Sequence, residues 1–292
     1  MFSGGNVIVD CVASRPIIPK DRAIICLGDS FTQGQGAWSD ETWKRHNNRI
    51  DHKIIKDELE VELYNNSWPY QLVRNYLSEY VAVNFGVIGI GNRAAVKELY
   101  LNPSINLKDI ESGVLIYMLS GMERLDLLNK TFPKNRHFDT IWPTPDHESE
   151  LWRVFAKQVW SDKFSTIETI LSIKEAETYA KANNLEFVII SAFEQRYTKQ
   201  WFERMIGEEH QDLINTVPWD NFFYPRGNLS FIELLLDLEG KKELAAGSWY
   251  SYYTKLKSPS EYITNCCHPT IKGYSVIAAE IYQHLKDKEI VR

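Results

Sequence analysis

Ala23-Ile24-Ile25-Cys26-Leu27-Gly28-Asp29-Ser30-Phe31-Thr32-Gln33-Gly34 is the stretch on which the reading of this chain turns. Its first five residues are apolar without interruption, the pattern of a strand buried on both faces. They empty directly into Gly-Asp-Ser-Phe-Thr. A glycine at a strand end lets the backbone bend sharply and lets another group approach closely. Ser30 then opens the next turn with its hydroxyl exposed, and its own N–H points into the same space, ready to donate to an oxyanion. Asp29 is placed to hydrogen-bond neighbouring loops and stiffen the turn.

Working outward, three more short apolar runs recur between helical patterns: Val81 to Phe85, Val114 to Leu119 and Phe187 to Ser191. That alternation predicts a parallel sheet with crossover helices. Helical periodicity covers Trp68 to Glu79, a long stretch from Leu151 to Asn183, and a last helix from about Ile271 to Lys286. Pro269 and Thr270 stand where a helix-starting proline and a capping hydroxyl belong. Between these elements, residues 35–67, 122–149 and 193–260 read as irregular, with a short helical pattern around Leu229 to Leu238. Loops at the carboxyl ends of strands build the site in an open α/β sheet, so the long ones are expected there. No repeat, linker or domain boundary stands out, and residues 1–292 are expected to form a single domain.

Bulk properties narrow the function. A chain of 292 residues with 44% hydrophobic and 25% charged residues is long enough for one large α/β core. A net charge of -6 argues against nucleic-acid binding and against docking on an anionic membrane. No apolar run approaches the roughly 20 residues of a membrane span, and the start does not read as a signal peptide, so the expected location is cytoplasmic. Four cysteines with no C-x-x-C pair make a disulfide scaffold or structural zinc unexpected. Cys26 reads as a small core residue. Asp146-His147-Glu148 lacks partners at usable metal-ligand spacing. Neither a metal nor a cofactor is expected. Tryptophans in polar stretches (Trp38, Trp43, Trp142, Trp219, Trp249) either pin loops to the body or line a pocket for a flat-faced ligand such as a sugar.

Two further motifs carry chemistry. Asn84-Phe85-Gly86-Val87-Ile88-Gly89-Ile90-Gly91-Asn92 ends the second strand. Its glycines either make a tight turn, or turn a backbone N–H towards a ligand, with Gly89 as the best second oxyanion donor. A dinucleotide loop is disfavoured, because the order is G-x-x-G-x-G and no acidic residue follows at the required distance. The other motif is Asn265-Cys266-Cys267-His268-Pro269. A serine hydroxyl is a poor nucleophile until a base takes its proton. Of seven histidines, only His268 combines a loop position, a following proline and a helix start. It is either a structural histidine or the base for Ser30.

Together, Gly28-Asp29-Ser30-Phe31-Thr32, Asn84-x-Gly86-x-x-Gly89 and His268-Pro269, with Trp68-Pro69-Tyr70-Gln71-Leu72 before the second strand, resemble the SGNH (GDSL-type) hydrolase family. The resemblance covers the strands and both ends of the chain. It implies a flavodoxin-like three-layer α/β/α sandwich with a mostly parallel central sheet and long loop insertions. It also implies hydrolysis of esters, often acetyl or other acyl groups on carbohydrates or lipids. By position, Ser30 is then the nucleophile, His268 the base, and the N–H groups of Ser30 and Gly89 the oxyanion donors.

The chain departs from that pattern twice. Asn265 stands where the family usually has an aspartate three residues before the histidine. Its amide oxygen can accept the Nδ1–H bond but supplies no charge. After the third strand, Ser120-Gly121-Met122-Glu123-Arg124 replaces Gly-x-Asn-Asp, whose asparagine is a third oxyanion donor. Arg124 either stands in as a cationic donor or pairs with Glu123. The expected function is a serine esterase acting on a small or carbohydrate ester. An acyltransferase using the same dyad and a weakened, non-catalytic binding domain are the alternatives.

Overall fold

A computed structural model describes residues 7–8, 22–39, 41–42, 57–87, 89–101, 110–122, 124–128, 138–141, 149–193, 197–245, 260–264 and 267–291. In chain order the strands are β1 (Val7–Ile8), β2 (Arg22–Gly28), β3 (Val81–Gly86), β4 (Ser112–Leu119), β5 (Leu125–Leu128), β6 (Phe138–Ile141), β7 (Leu185–Ser191) and β8 (Phe222–Phe223). The α-helices are α1 (Ser30–Gln33), α2 (Asp57–Asn66), α3 (Trp68–Tyr76), α4 (Asn92–Leu101), α5 (Glu150–Gln158), α6 (Asp162–Ala182), α7 (Lys199–Ile206), α8 (Gln211–Asn215), α9 (Phe231–Leu238) and α10 (Ile271–Asp287).

Among the described residues, six strands form one sheet in the order β1-β3-β2-β4-β7-β8, with every pairing parallel. The order reverses between β2 and β4. The chain runs outward from β2 through β3 on one side, then returns to build β4, β7 and β8 on the other. This is the flavodoxin-like arrangement, and ligands bind where it reverses. The apolar run of β2 explains how the layers form. Ile24 and Cys26 join a core with residues of α3, α9 and α10. Ala23, Ile25 and Leu27 join a second core with residues of α4, α6 and α7. Alternate side chains of one strand thus fill opposite layers, giving the expected α/β/α sandwich.

The helix expected from Trp68 to Glu79 starts at Trp68 and ends at Tyr76, and the last helix starts at Ile271 as expected. Thr270 caps α10 through Gly273 N–H at 3.1 Å, and Asn183 closes α6. However, the continuous helix expected from Leu151 to Asn183 is two helices, α5 and α6. Ser161 is extended (φ -156°, ψ 161°) and caps α6 by accepting the Phe164 N–H at 3.1 Å. A serine oxygen that satisfies an orphan N–H of a new helix competes with continuation of the old one. Within α6, Ile170 and Ile173 are buried and Leu171 is exposed, while Val154 of α5 and Val159 just beyond it are exposed.

The regions read as irregular hold more structure than their composition suggests. Residues 35–67 contain α2. Residues 122–149 contain an antiparallel pairing of β5 with β6. Residues 193–260 contain α7, α8, β8 and α9. Among the described residues no helix is long and apolar enough to cross a membrane.

Candidate active site

β2 delivers Asp29 and Ser30 to the carboxyl edge of the sheet, beside the point where strand order reverses. Gly28 makes that turn possible: a Cβ there would lie 2.9 Å from Met118 O, closer than real Cβ atoms come. Asp29 caps α1 by accepting the Phe31 N–H on Oδ1 at 3.0 Å. Its other oxygen accepts from Ser120 Oγ at 2.9 Å and from an Arg124 guanidinium nitrogen at 2.7 Å. The carboxylate is fully buried, so these bonds offset a desolvation cost of several kcal/mol.

Ser30 Oγ lies 2.9 Å from His268 Nε2, although the two residues are 238 positions apart in sequence. His268 is 7% and Ser30 3% exposed. The loop that carries His268 closes on itself. Thr264 N–H donates to His268 O at 2.8 Å, Thr264 Oγ1 donates to the same oxygen at 3.0 Å, and Cys267 N–H donates to Thr264 O at 2.9 Å. Cys267 takes a left-handed conformation (φ 62°) to complete the turn. The ring also packs against Phe31 at 5.4 Å between centroids, and Phe31 meets Phe193 edge-on at 4.4 Å. These rings give the pair an apolar wall.

The strand ends around the pair are cross-tied. Asn84 on β3 donates to Thr32 O at 2.8 Å and accepts the Gly86 N–H at 2.8 Å. Tyr274 on α10 donates to Gln35 O at 2.8 Å. Asn92 accepts the Ser120 N–H at 2.7 Å and donates back to Ser120 O at 3.3 Å. The Tyr197 hydroxyl also donates to Ser120 O. Tyr117 donates to Asn92 O at 2.6 Å. Burial pushes the Tyr117 phenol well above its ordinary range, with Asp126 and Glu175 acting the same way and Ser172 opposing, so it remains a neutral donor. Burial likewise pushes the Cys26 thiol up, which keeps it protonated within β2.

The remaining sequence-derived candidates fall as follows. Gly89 sits in the turn after β3 with φ 79°. Arg124 is paired with Asp29. Asn265 and Glu123 lie outside the described residues, as do Trp43, Trp142 and Trp249. Trp38 is buried, and Trp219 donates to Ile214 O at 3.1 Å while stacking on Phe222, so both pin loops. Sequence reading missed Ser120, Asn92, Phe193 and Thr264. Asn92 and Ser120 lie in stretches already singled out in the sequence, and Thr264 is four residues before His268; Phe193 joins through a contact distant in sequence.

The fold and this geometry define the class: a parallel α/β sandwich with a serine and a histidine hydrogen-bonded at the carboxyl end of its central strand. No family model matches the chain, and no curated protein matches it. Solved structures are similar to it in overall path. One is a psychrotrophic esterase from Pseudoalteromonas sp., 14% identical, covering 92% of this chain and 98% of that one with a TM-score of 0.43. Another is a member of the lipolytic G-D-S-L family from Veillonella parvula, 11% identical, covering 91% and 98% with a TM-score of 0.42. A third is an acetyl xylan esterase from the rumen bacterium Butyrivibrio proteoclasticus, 12% identical, covering 94% of this chain and 64% of that one with a TM-score of 0.43.

Proposed function

We propose that the chain is a serine esterase that removes acyl groups, acetyl foremost, from a carbohydrate or other small ester. The observation that carries this reading is the 2.9 Å separation of Ser30 Oγ and His268 Nε2 at the point where strand order reverses. A nucleophile and its base within hydrogen-bond reach are what acyl transfer requires.

In this mechanism His268 Nε2 takes the Ser30 proton as Oγ attacks the acyl carbonyl. The Ser30 and Gly89 N–H groups hold the oxyanion. The imidazolium then gives its proton to the departing alcohol, leaving an acyl group on Ser30. A water, deprotonated by the same nitrogen, releases the acid and restores the serine. Asn265 stands in the sequence three residues before His268, where an orienting residue for the ring belongs. The apolar wall of Phe31 and Phe193 strengthens each of these interactions by excluding water.

Acetate release from acetylated sugars and from p-nitrophenyl acetate tests the reading. Wild type should turn over. Ser30→Ala and His268→Ala should each lose most of the activity while unfolding at the wild-type temperature. Activity that survives Ser30→Ala would contradict it.

A further inference from the structure

Arg124 takes no part in the proton relay, yet one of its guanidinium nitrogens reaches two strand ends at once. It lies 2.7 Å from Asp29 Oδ2 and 2.7 Å from Ile90 O. These acceptors belong to the residues that flank the two proposed oxyanion donors: Asp29 precedes Ser30, and Ile90 follows Gly89. The side chain is 11% exposed and its carboxylate partner fully buried. The nitrogen has two hydrogens in one plane, so two acceptors fix its position as well as its charge.

The stem of Arg124 is seated just as closely. A Cβ on Gly91 would lie 3.0 Å from Arg124 Cβ and 2.7 Å from Asp126 Oδ2. Gly91 N–H donates to Asp126 Oδ1 at 2.8 Å. The Gly89–Gly91 turn is therefore clamped by residues 124 and 126 together, and Ser120 Oγ braces the same Asp29 oxygen at 2.9 Å.

We infer that Arg124 is a positioning residue that sets the gap between the Ser30 and Gly89 N–H groups. This rests on the serine-esterase reading. It explains how the chain does without the asparagine of Gly-x-Asn-Asp: rigid placement of two backbone donors stands in for the missing third one. Lysine keeps the charge but lacks the planar fork, so it cannot hold both acceptors in the same geometry.

The effect belongs to the transition state, because the donors meet the oxygen fully only when it becomes an oxyanion. Loss of the clamp therefore lowers kcat and leaves KM nearly unchanged. Both acylation and deacylation pass through such an oxyanion, so either step reports it. The test uses the full chain as wild type, Arg124→Lys and Arg124→Met. It reads kcat and KM on p-nitrophenyl acetate, the second-order rate of labelling by a fluorophosphonate, and the unfolding temperature. Arg124→Met should lose about 10²-fold in kcat, as for loss of one oxyanion donor, with a parallel fall in labelling rate. Arg124→Lys should fall between it and wild type. Lowered stability with kcat and labelling retained would make the Asp29–Arg124 pair a structural tie only and overturn the inference. If Arg124→Met does not fold, a folded Arg124→Lys with wild-type kcat overturns it equally. A wild type that neither labels nor turns over overturns the serine nucleophile, and this inference with it.

Discussion

His268 gets its direction from the backbone around it. Thr264 and Cys267 close its loop, and Pro269 bridges back to Ile263. What the loop does not provide is a negative charge three residues upstream, where Asn265 stands. In serine proteases an aspartate behind the histidine fixes the tautomer and stabilises the imidazolium, and its change to asparagine costs about 10⁴ in turnover. Asn265→Asp should therefore raise kcat by anything up to that factor. Steady-state rates across pH check this. An unchanged or lower rate would show a site rebuilt around the amide. Ser30 and His268, which the fold brings within 2.9 Å, were legible because each sits in a motif of neighbouring residues. Their supports were not. Ser120 and Arg124 meet Asp29 across 91 and 95 positions, and no local pattern encodes a contact at that distance. Sequence offered Glu123 as a partner for Arg124; the fold places the buried Asp29 carboxylate against it, and Glu123 lies outside the described residues.

At the scale of elements, the four strands with continuous apolar runs were read correctly, because burial on both faces leaves no other residue type to use. β1 and β8 are two residues long, too short to show any period. β5 and β6 hide for a related reason: Leu-Asp-Leu-Leu and Phe-Asp-Thr-Ile are brief and mixed in polarity. The break between α5 and α6 was missed because apolar spacing continues across it. The decisive feature is one serine side chain. Ser161→Ala should cost about 1 kcal/mol, the usual worth of an N-cap. Urea unfolding measures it. A change near zero would mean that tertiary packing, not the cap, separates the helices.

The molecule as a whole is a sheet with two cores, and its far edge carries a pH-sensitive group. His284 on α10 stacks on Phe223 of β8 at 4.2 Å between centroids. Burial holds its pKa below the ordinary 6.5, Lys288 lowers it further, and Asp287 opposes. The unfolded chain therefore binds the proton more readily than the native one. The stabilisation is present above pH 6.5 and is lost as pH falls below it through the native pKa. Wild type should lose more stability than His284→Phe between pH 7.5 and 5.5, by urea titration. Equal losses would remove His284 from the acid response.

The same sheet brings Ser30 to the place where strand order reverses and sets His268 beside it from the other end of the chain. Intact-mass measurement after exposure to a fluorophosphonate tests that central claim most directly. One adduct on the wild type, mapped to Ser30 and absent from Ser30→Ala, is the predicted result. No adduct after long exposure, or an equal adduct on Ser30→Ala, would contradict it.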